Sequence, residues 1–75
     1  MLGHTMGASS AFGAIACCLA IKDGHIPPTI NHEKDDSKCN IDCVPNKSRR
    51  QRVKIVLNNS QAFGGNNSCI SIRKY

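Results

Sequence analysis

From Ala8 to Ile21 the chain runs fourteen residues with only Ser9 and Ser10 polar. The alanine-rich composition favours a helix, expected over Met6–Lys22. Asp23-Gly24 closes it, the glycine suiting the left-handed position after a last helical turn. A helix apolar nearly all round is one that is covered on most of its faces. Its small residues, Ala8, Ser9, Ala11, Gly13, Ala14 and Ala16, allow neighbouring backbones to approach closely. From Ile26 to Asn46 no period holds. Pro27-Pro28 excludes helix and interior strand, and polar and acidic residues follow up to Pro45. Twenty-one residues is long for a loop inside a small independent domain.

Alternation returns at Arg52–Asn58, which predicts a strand with Val53, Ile55 and Leu57 on one face. Val56 makes the other face partly apolar, as in a sheet buried on both sides. Ser68–Arg73 predicts a second strand, with Ile70 and Ile72 alternating against Cys69 and Ser71. The connection Asn59–Asn67 is far longer than a tight hairpin needs. Its glycines permit positive φ and close backbone approach to a ligand. The order is therefore helix, long loop, antiparallel strand pair, an α/β arrangement. Seventy-five residues are too few to surround it, so partners are expected.

Composition sharpens this picture. Seventy-five residues with no Trp, one Tyr and two Phe make one small, weakly cored domain. A large multidomain enzyme or a membrane-spanning bundle is therefore not expected, whereas a fragment of something larger is compatible. Five cysteines are an odd number and do not form a secreted disulfide framework. His32, Cys39 and Cys43 lack a Cys-x2-Cys knuckle, so no metal site is expected. The apolar run is too short to span a bilayer. Met1–Gly7 offers only His4 where an export signal needs cations, and no Ala-x-Ala site precedes Lys22. A cytoplasmic chain with reduced thiols and no membrane role is expected, and the Asn-x-Ser sequons at Asn46, Asn58 and Asn66 are then chance matches.

The net charge is +5, concentrated at Lys47, Arg49, Arg50, Arg52 and Lys54, with Arg73 and Lys74 behind. A nucleic-acid surface is one reading. It is weakened by the lack of any aromatic between Phe12 and Phe63 on which bases could stack. A solvated basic turn leading into a strand is the simpler expectation, and an acidic protein partner suits it equally.

Two segments carry chemistry. His4 stands at a helix N-terminus, at the positive end of the helix dipole, where a neutral imidazole can donate one N–H to a carbonyl gaining negative charge. Phe63-Gly64-Gly65 lies in the loop between strands. Alone, the first is an ordinary surface histidine and the second an ordinary turn.

Together with other segments they form a pattern. Gly3-His4-Thr5-Met6-Gly7-Ala8, Ile26-Pro27-Pro28-Thr29-Ile30-Asn31, Val44-Pro45-Asn46, Asn59-Ser60, Phe63-Gly64-Gly65, Asn67 and Arg73-Lys74 resemble the C-terminal part of the β-ketoacyl-acyl-carrier-protein synthases. The resemblance covers essentially the whole chain. It implies a C-terminal fragment (helix, long loop, antiparallel strand pair) of a thiolase-like α-β-α-β-α fold, working as a homodimer. It implies decarboxylative Claisen condensation of malonyl-carrier protein with an acyl thioester, in fatty acid or polyketide biosynthesis. No cofactor is implied, the acyl substrates being carried on the phosphopantetheine of acyl carrier protein. His4 matches the second of two histidines that stabilise the enolate. Phe63 matches the oxyanion-hole backbone donor, with its ring as an acyl gate. Gly64 and Gly65 shape that loop, and Asn59 and Asn67 support it.

The resemblance also says what to expect outside residues 1–75. The N-terminal half of the fold, the nucleophilic cysteine, the first histidine and a lysine before the second one are absent. Cys17 and Cys18 match apolar helix positions and are not substitutes. Activity therefore requires the upstream portion. Within the match, Gly13 stands where many members carry a glutamate, Gln61-Ala62 replace Phe-Gly, and Asn66 replaces a usual threonine. The alternative is a non-catalytic ketosynthase-like remnant or interaction subunit.

Overall fold

The computed structural model describes all residues, Met1–Tyr75. A 3-10 turn, Met6–Ala8, leads into helix α1, Ser9–Asp23. The expected helix is thus present, its first turn wound more tightly and its end one residue later. Gly24 closes it in the left-handed region (φ 66°), its N–H bonding the Ala20 carbonyl at 3.0 Å. That conformation costs glycine little, because no Cβ meets the following carbonyl.

Four strands follow: β1 (His25–Ile26), β2 (Arg49–Arg50), β3 (Ile55–Ser60) and β4 (Ser68–Arg73). β1 pairs antiparallel with β2, and β3 with β4 from Ile55↔Arg73 to Ser60↔Ser68. The second expected strand has its expected ends. The first starts at Ile55 rather than Arg52 and continues through Ser60. Residues ahead of it have another partner: Arg49–Arg50 pair with β1, and the Gln51 N–H bonds the Gly24 carbonyl at 2.9 Å. The chain changes partners across residues 52–54, and regular pairing begins where β4 can reach. The basic run is accordingly not a free turn, since two of its arginines are strand.

The face of β3 also differs from expectation. Val56, Asn58 and Ser60 lie on the covered side, whereas Ile55 and Leu57 are each 62% exposed. The sequence predicts both faces of this strand to be covered, and within the chain only the Val56 side is. The helix lays its small stripe, Gly13, Ala14, Cys17, Ala20 and Ile21, over the Val56–Asn58 side. Its second apolar stripe, Phe12, Ile15 and Leu19, is bare. Only Ala20 and Asn58 are buried, and the accessible surface is 6781 Å2. A folded protein of this mass ordinarily exposes about 4,500 Å2. The faces expected to need partners are open.

With its 3-10 turn the helical run Met6–Asp23 is 18 residues, longer than the apolar stretch alone. By length and composition it could cross a membrane, a test that core helices of soluble proteins also pass.

Residues 27–48 are irregular, as expected, but closed at the neck. Thr29 and Pro45 form a bridge. The Thr29 N–H bonds the Val44 carbonyl at 2.9 Å, and the Asn46 N–H bonds the Thr29 carbonyl at 2.8 Å. The Asn46 amide accepts from the His32 N–H at 3.1 Å and donates to the His32 carbonyl at 2.8 Å. Arg49 grips Asp42 with both terminal nitrogens. That contact, with the Val44 N–H, holds the Asp42 carboxyl down to about 2 and raises the Arg49 guanidinium further.

Candidate functional site at one end of the strand pair

The 3-10 turn and the β3–β4 loop come together at one end of the strand pair. They enclose an open recess of about 680 Å3, with His4, Met6 and Ser9 on one side. Gln61, Ala62, Phe63 and Asn67 line the other. Of the residues singled out from sequence, His4, Phe63 and Asn67 are therefore brought together. Gly64 and Gly65 shape the loop without lining the recess. Asn59 lies on an adjoining polar hollow that it shares with Gln61 and Asn67.

His4 is held by backbone. Its Nδ1 accepts the Met6 N–H at 3.1 Å. A neutral imidazole whose Nδ1 accepts carries its proton on Nε2, so the outer nitrogen is a donor. Met6 reaches back this way because its φ is 51°, a conformation that costs a non-glycine residue about 1–3 kcal/mol. Thr5 Oγ1 and Ser9 Oγ lie 2.9 Å apart across the same turn, joining the approach segment to the first residue of α1.

The loop is a β-turn. The Gly65 N–H bonds the Ala62 carbonyl at 3.3 Å, placing Phe63 and Gly64 at its centre. Gly64 has φ 86° and Gly65 81°. The first value is what a type II turn requires at its third position, where glycine is the ordinary solution. The expectation of positive φ at both glycines is met. The Phe63 ring is fully exposed, and its N–H makes no hydrogen bond within the chain. Among the residues lining the recess are His4, whose Nε2 makes no hydrogen bond within the chain, and Phe63, whose backbone N–H is likewise unengaged. An N–H without a partner in the chain is the kind of group that can stabilise an oxygen acquiring negative charge.

Met6 was visible only as part of the Gly3–Ala8 motif and Ser9 only as a small helix residue; their place in the recess follows from the tight first turn. Gln61 and Ala62 were visible only as departures from a motif. No group of three His, Cys, Asp or Glu side chains is placed to hold a metal ion. His32 Nε2 lies 3.3 Å from Asp35, and all five cysteines are unpaired.

The helix and antiparallel strand pairs have close counterparts in solved structures. A ketosynthase/chain length factor structure, that of ishigamide, superposes over 100% of this chain with TM-score 0.93 and 57% identity, the match covering 19% of that chain. A second solved structure, a type II polyketide acyl-carrier protein in complex with its ketosynthase, superposes over 91% of this chain at TM-score 0.85 and 34% identity. That match covers 17% of the other chain. The 3-oxoacyl-[acyl-carrier-protein] synthase 2 of Synechocystis is 43% identical over the whole chain and 18% of its own length. Residues 1–33 match the family described as beta-ketoacyl synthase, C-terminal domain. The chain belongs to the β-ketoacyl synthases and corresponds to a C-terminal part of their fold. It spans less than a fifth of the length of these relatives.

Proposed function

We propose that this chain supplies the enolate-stabilising histidine and the acyl-side backbone donor of a β-ketoacyl-acyl-carrier-protein synthase. It acts with the portion of the fold that provides the nucleophilic cysteine. The acyl group passes from its carrier to that cysteine as a thioester. Malonyl thioester then loses CO2, and the electron pair left behind spreads onto the thioester oxygen as an enolate. Its carbon attacks the acyl carbonyl, and the cysteine thiolate leaves. His4 Nε2–H donates to the enolate oxygen, and Phe63 N–H receives the oxyanion formed on the acyl carbonyl. The Phe63 ring stands as the gate to the acyl side, Gly64 and Gly65 hold the turn, and Asn59 and Asn67 brace it. The observation that carries the reading is that His4 and Phe63 line one recess with both N–H groups uncommitted.

The partners proposed are an acyl carrier protein, the remainder of the ketosynthase and a second ketosynthase subunit. No nucleic acid, membrane or bound cofactor takes part, the substrates arriving on phosphopantetheine in the cytoplasm. The second reading, a non-catalytic ketosynthase-like interaction subunit, is favoured by Gln61-Ala62 in place of the commoner Phe-Gly of the loop.

The test is His4→Ala in the ketosynthase assembly containing this chain, following malonyl decarboxylation and acyl transfer separately. Loss of one such donor costs roughly a hundred- to a thousandfold. Decarboxylation should fall by that factor while acyl transfer persists in part. Unchanged decarboxylation would favour the non-catalytic reading.

A further inference from the structure

Asn58 is the one buried polar residue of the chain, 8% exposed. Its Nδ2 donates to the Ser10 carbonyl at 3.1 Å, across 48 residues of sequence. No other side-chain hydrogen bond joins α1 to β3. Its Oδ1 lies against Gly13, where a Cβ would stand 2.5 Å from it, and 3.3 Å from its Cγ. A gap under 3 Å is far inside carbon–oxygen contact, so the amide occupies the volume that any larger residue at position 13 would need.

The position of this contact relates it to the recess. Ser10 follows Ser9, which lines one side, and Asn58 stands three residues before Gln61, which lines the other. The bond therefore ties the element carrying His4 to the strand carrying the Phe63 turn. Neither donor touches it. What it sets is their separation, and reacting groups displaced by about 1 Å can lose up to a hundredfold in rate.

We infer that Gly13 and Asn58 are a matched positioning pair that fixes His4 relative to Phe63 for the condensation step. The inference rests on the function proposed above. Glycine at position 13 leaves the space, and asparagine at 58 fills it while donating the hydrogen bond.

The experiment uses the ketosynthase assembly containing this chain, with Asn58→Asp, Asn58→Ala, Gly13→Ala and the double variant Gly13→Ala/Asn58→Ala. Asn58→Asp keeps the size of the side chain but has no N–H when ionised. Condensation kcat should fall roughly tenfold in each single variant, an effect of the size misplaced reacting groups produce. The KM for carrier-linked malonyl should hold, as should acyl transfer and malonyl decarboxylation measured singly. The double variant should be no worse than Asn58→Ala, because the amide that the added methyl group would strike is gone. Normal condensation in Asn58→Asp, strict additivity in the double variant, or all three rates falling in proportion would each overturn the pair. His4→Ala, run alongside, separates two failures. If it abolishes decarboxylation while Asn58→Asp condenses normally, only the pair is refuted. If it leaves decarboxylation intact, the proposed function has failed and the pair's role falls with it.

Discussion

Two loops of this chain use their polar groups in opposite ways. Residues 27–48 turn theirs on one another, Asn46 on His32 and Thr29 on Val44 and Cys43, and on Arg49 of the adjoining β2, which holds Asp42. Residues 61–67 make two backbone bonds, Gly65 to Ala62 and Asn67 to Gly65, and leave the Phe63 N–H without a partner in the chain. A loop that satisfies its own groups is a fastening. A loop that leaves a donor without a partner, on a turn set by glycines of positive φ, is the one the proposed function uses. Length therefore misleads here, since the longer loop is the structural one.

The contrast is broken most forcefully at Gly64. Gly64→Val places a β-branched residue at φ 86°, which such side chains do not readily adopt. The turn would shift and carry the Phe63 N–H with it, so acyl transfer should fall by about a hundredfold. Phe63→Ala keeps that N–H and removes only the ring. It should leave transfer within roughly tenfold and change which chain lengths load, an effect of the size expected when one apolar contact is altered. Intact-protein mass spectrometry of acyl-enzyme across several chain lengths distinguishes the two. Normal loading by Gly64→Val, with Phe63→Ala slowing every chain equally, would reduce this loop to a plain turn.

Asn46→Ala tests the other side. It removes two hydrogen bonds at the neck of 27–48 and puts alanine at φ 58°. The segment should open more easily by about 1–2 kcal/mol, read as faster amide exchange over residues 29–46, with condensation little changed. A large loss of acyl transfer here would mean that the two loops are coupled after all.

The smallest effect is a pH dependence. Asp42 is held down to about 2 from its ordinary 3.8, first by the hydrogen bond from Arg49 and then by the Val44 N–H. A carboxyl lowered on folding contributes stability that is complete above the ordinary value and lost as pH falls toward the lowered one. Exchange protection of residues 42–49 should therefore be flat from about pH 8 to 5 and decline from about 4 to 2. Asp42→Asn should remove that decline. The pair is solvent-exposed and screened, so the change is slight.

Much of the fold was legible because its signals are local. Ala8–Ile21 and Gly24 mark a helix and its end without reference to anything distant, and paired glycines mark a turn with positive φ. Ser68–Arg73 announced itself by alternation. The β1–β2 pair did not, since two residues cannot display a period and their pairing is decided by where α1 ends. Which of the two apolar-bearing faces of β3 meets α1 was not legible for a related reason. Leu57 outranks Asn58 in hydrophobicity, but Asn58 is turned inward by the space over Gly13, far away along the chain. At the site, His4 and Phe63 were visible as motifs, whereas their sharing one recess with Met6, Ser9 and Gln61 is a property of the packed helix and strand.

The Asn58–Ser10 contact also has a kinetic side. β3 and β4 meet across the short span from Ser60 to Ser68, whereas the helix is fastened across 48 residues. Closing the longer loop costs about 1.6 kcal/mol more in chain entropy. On chain entropy alone the strand pair, with its glycine turn, is expected to form before the helix docks. In that order the Phe63 turn would be shaped before His4 arrives beside it.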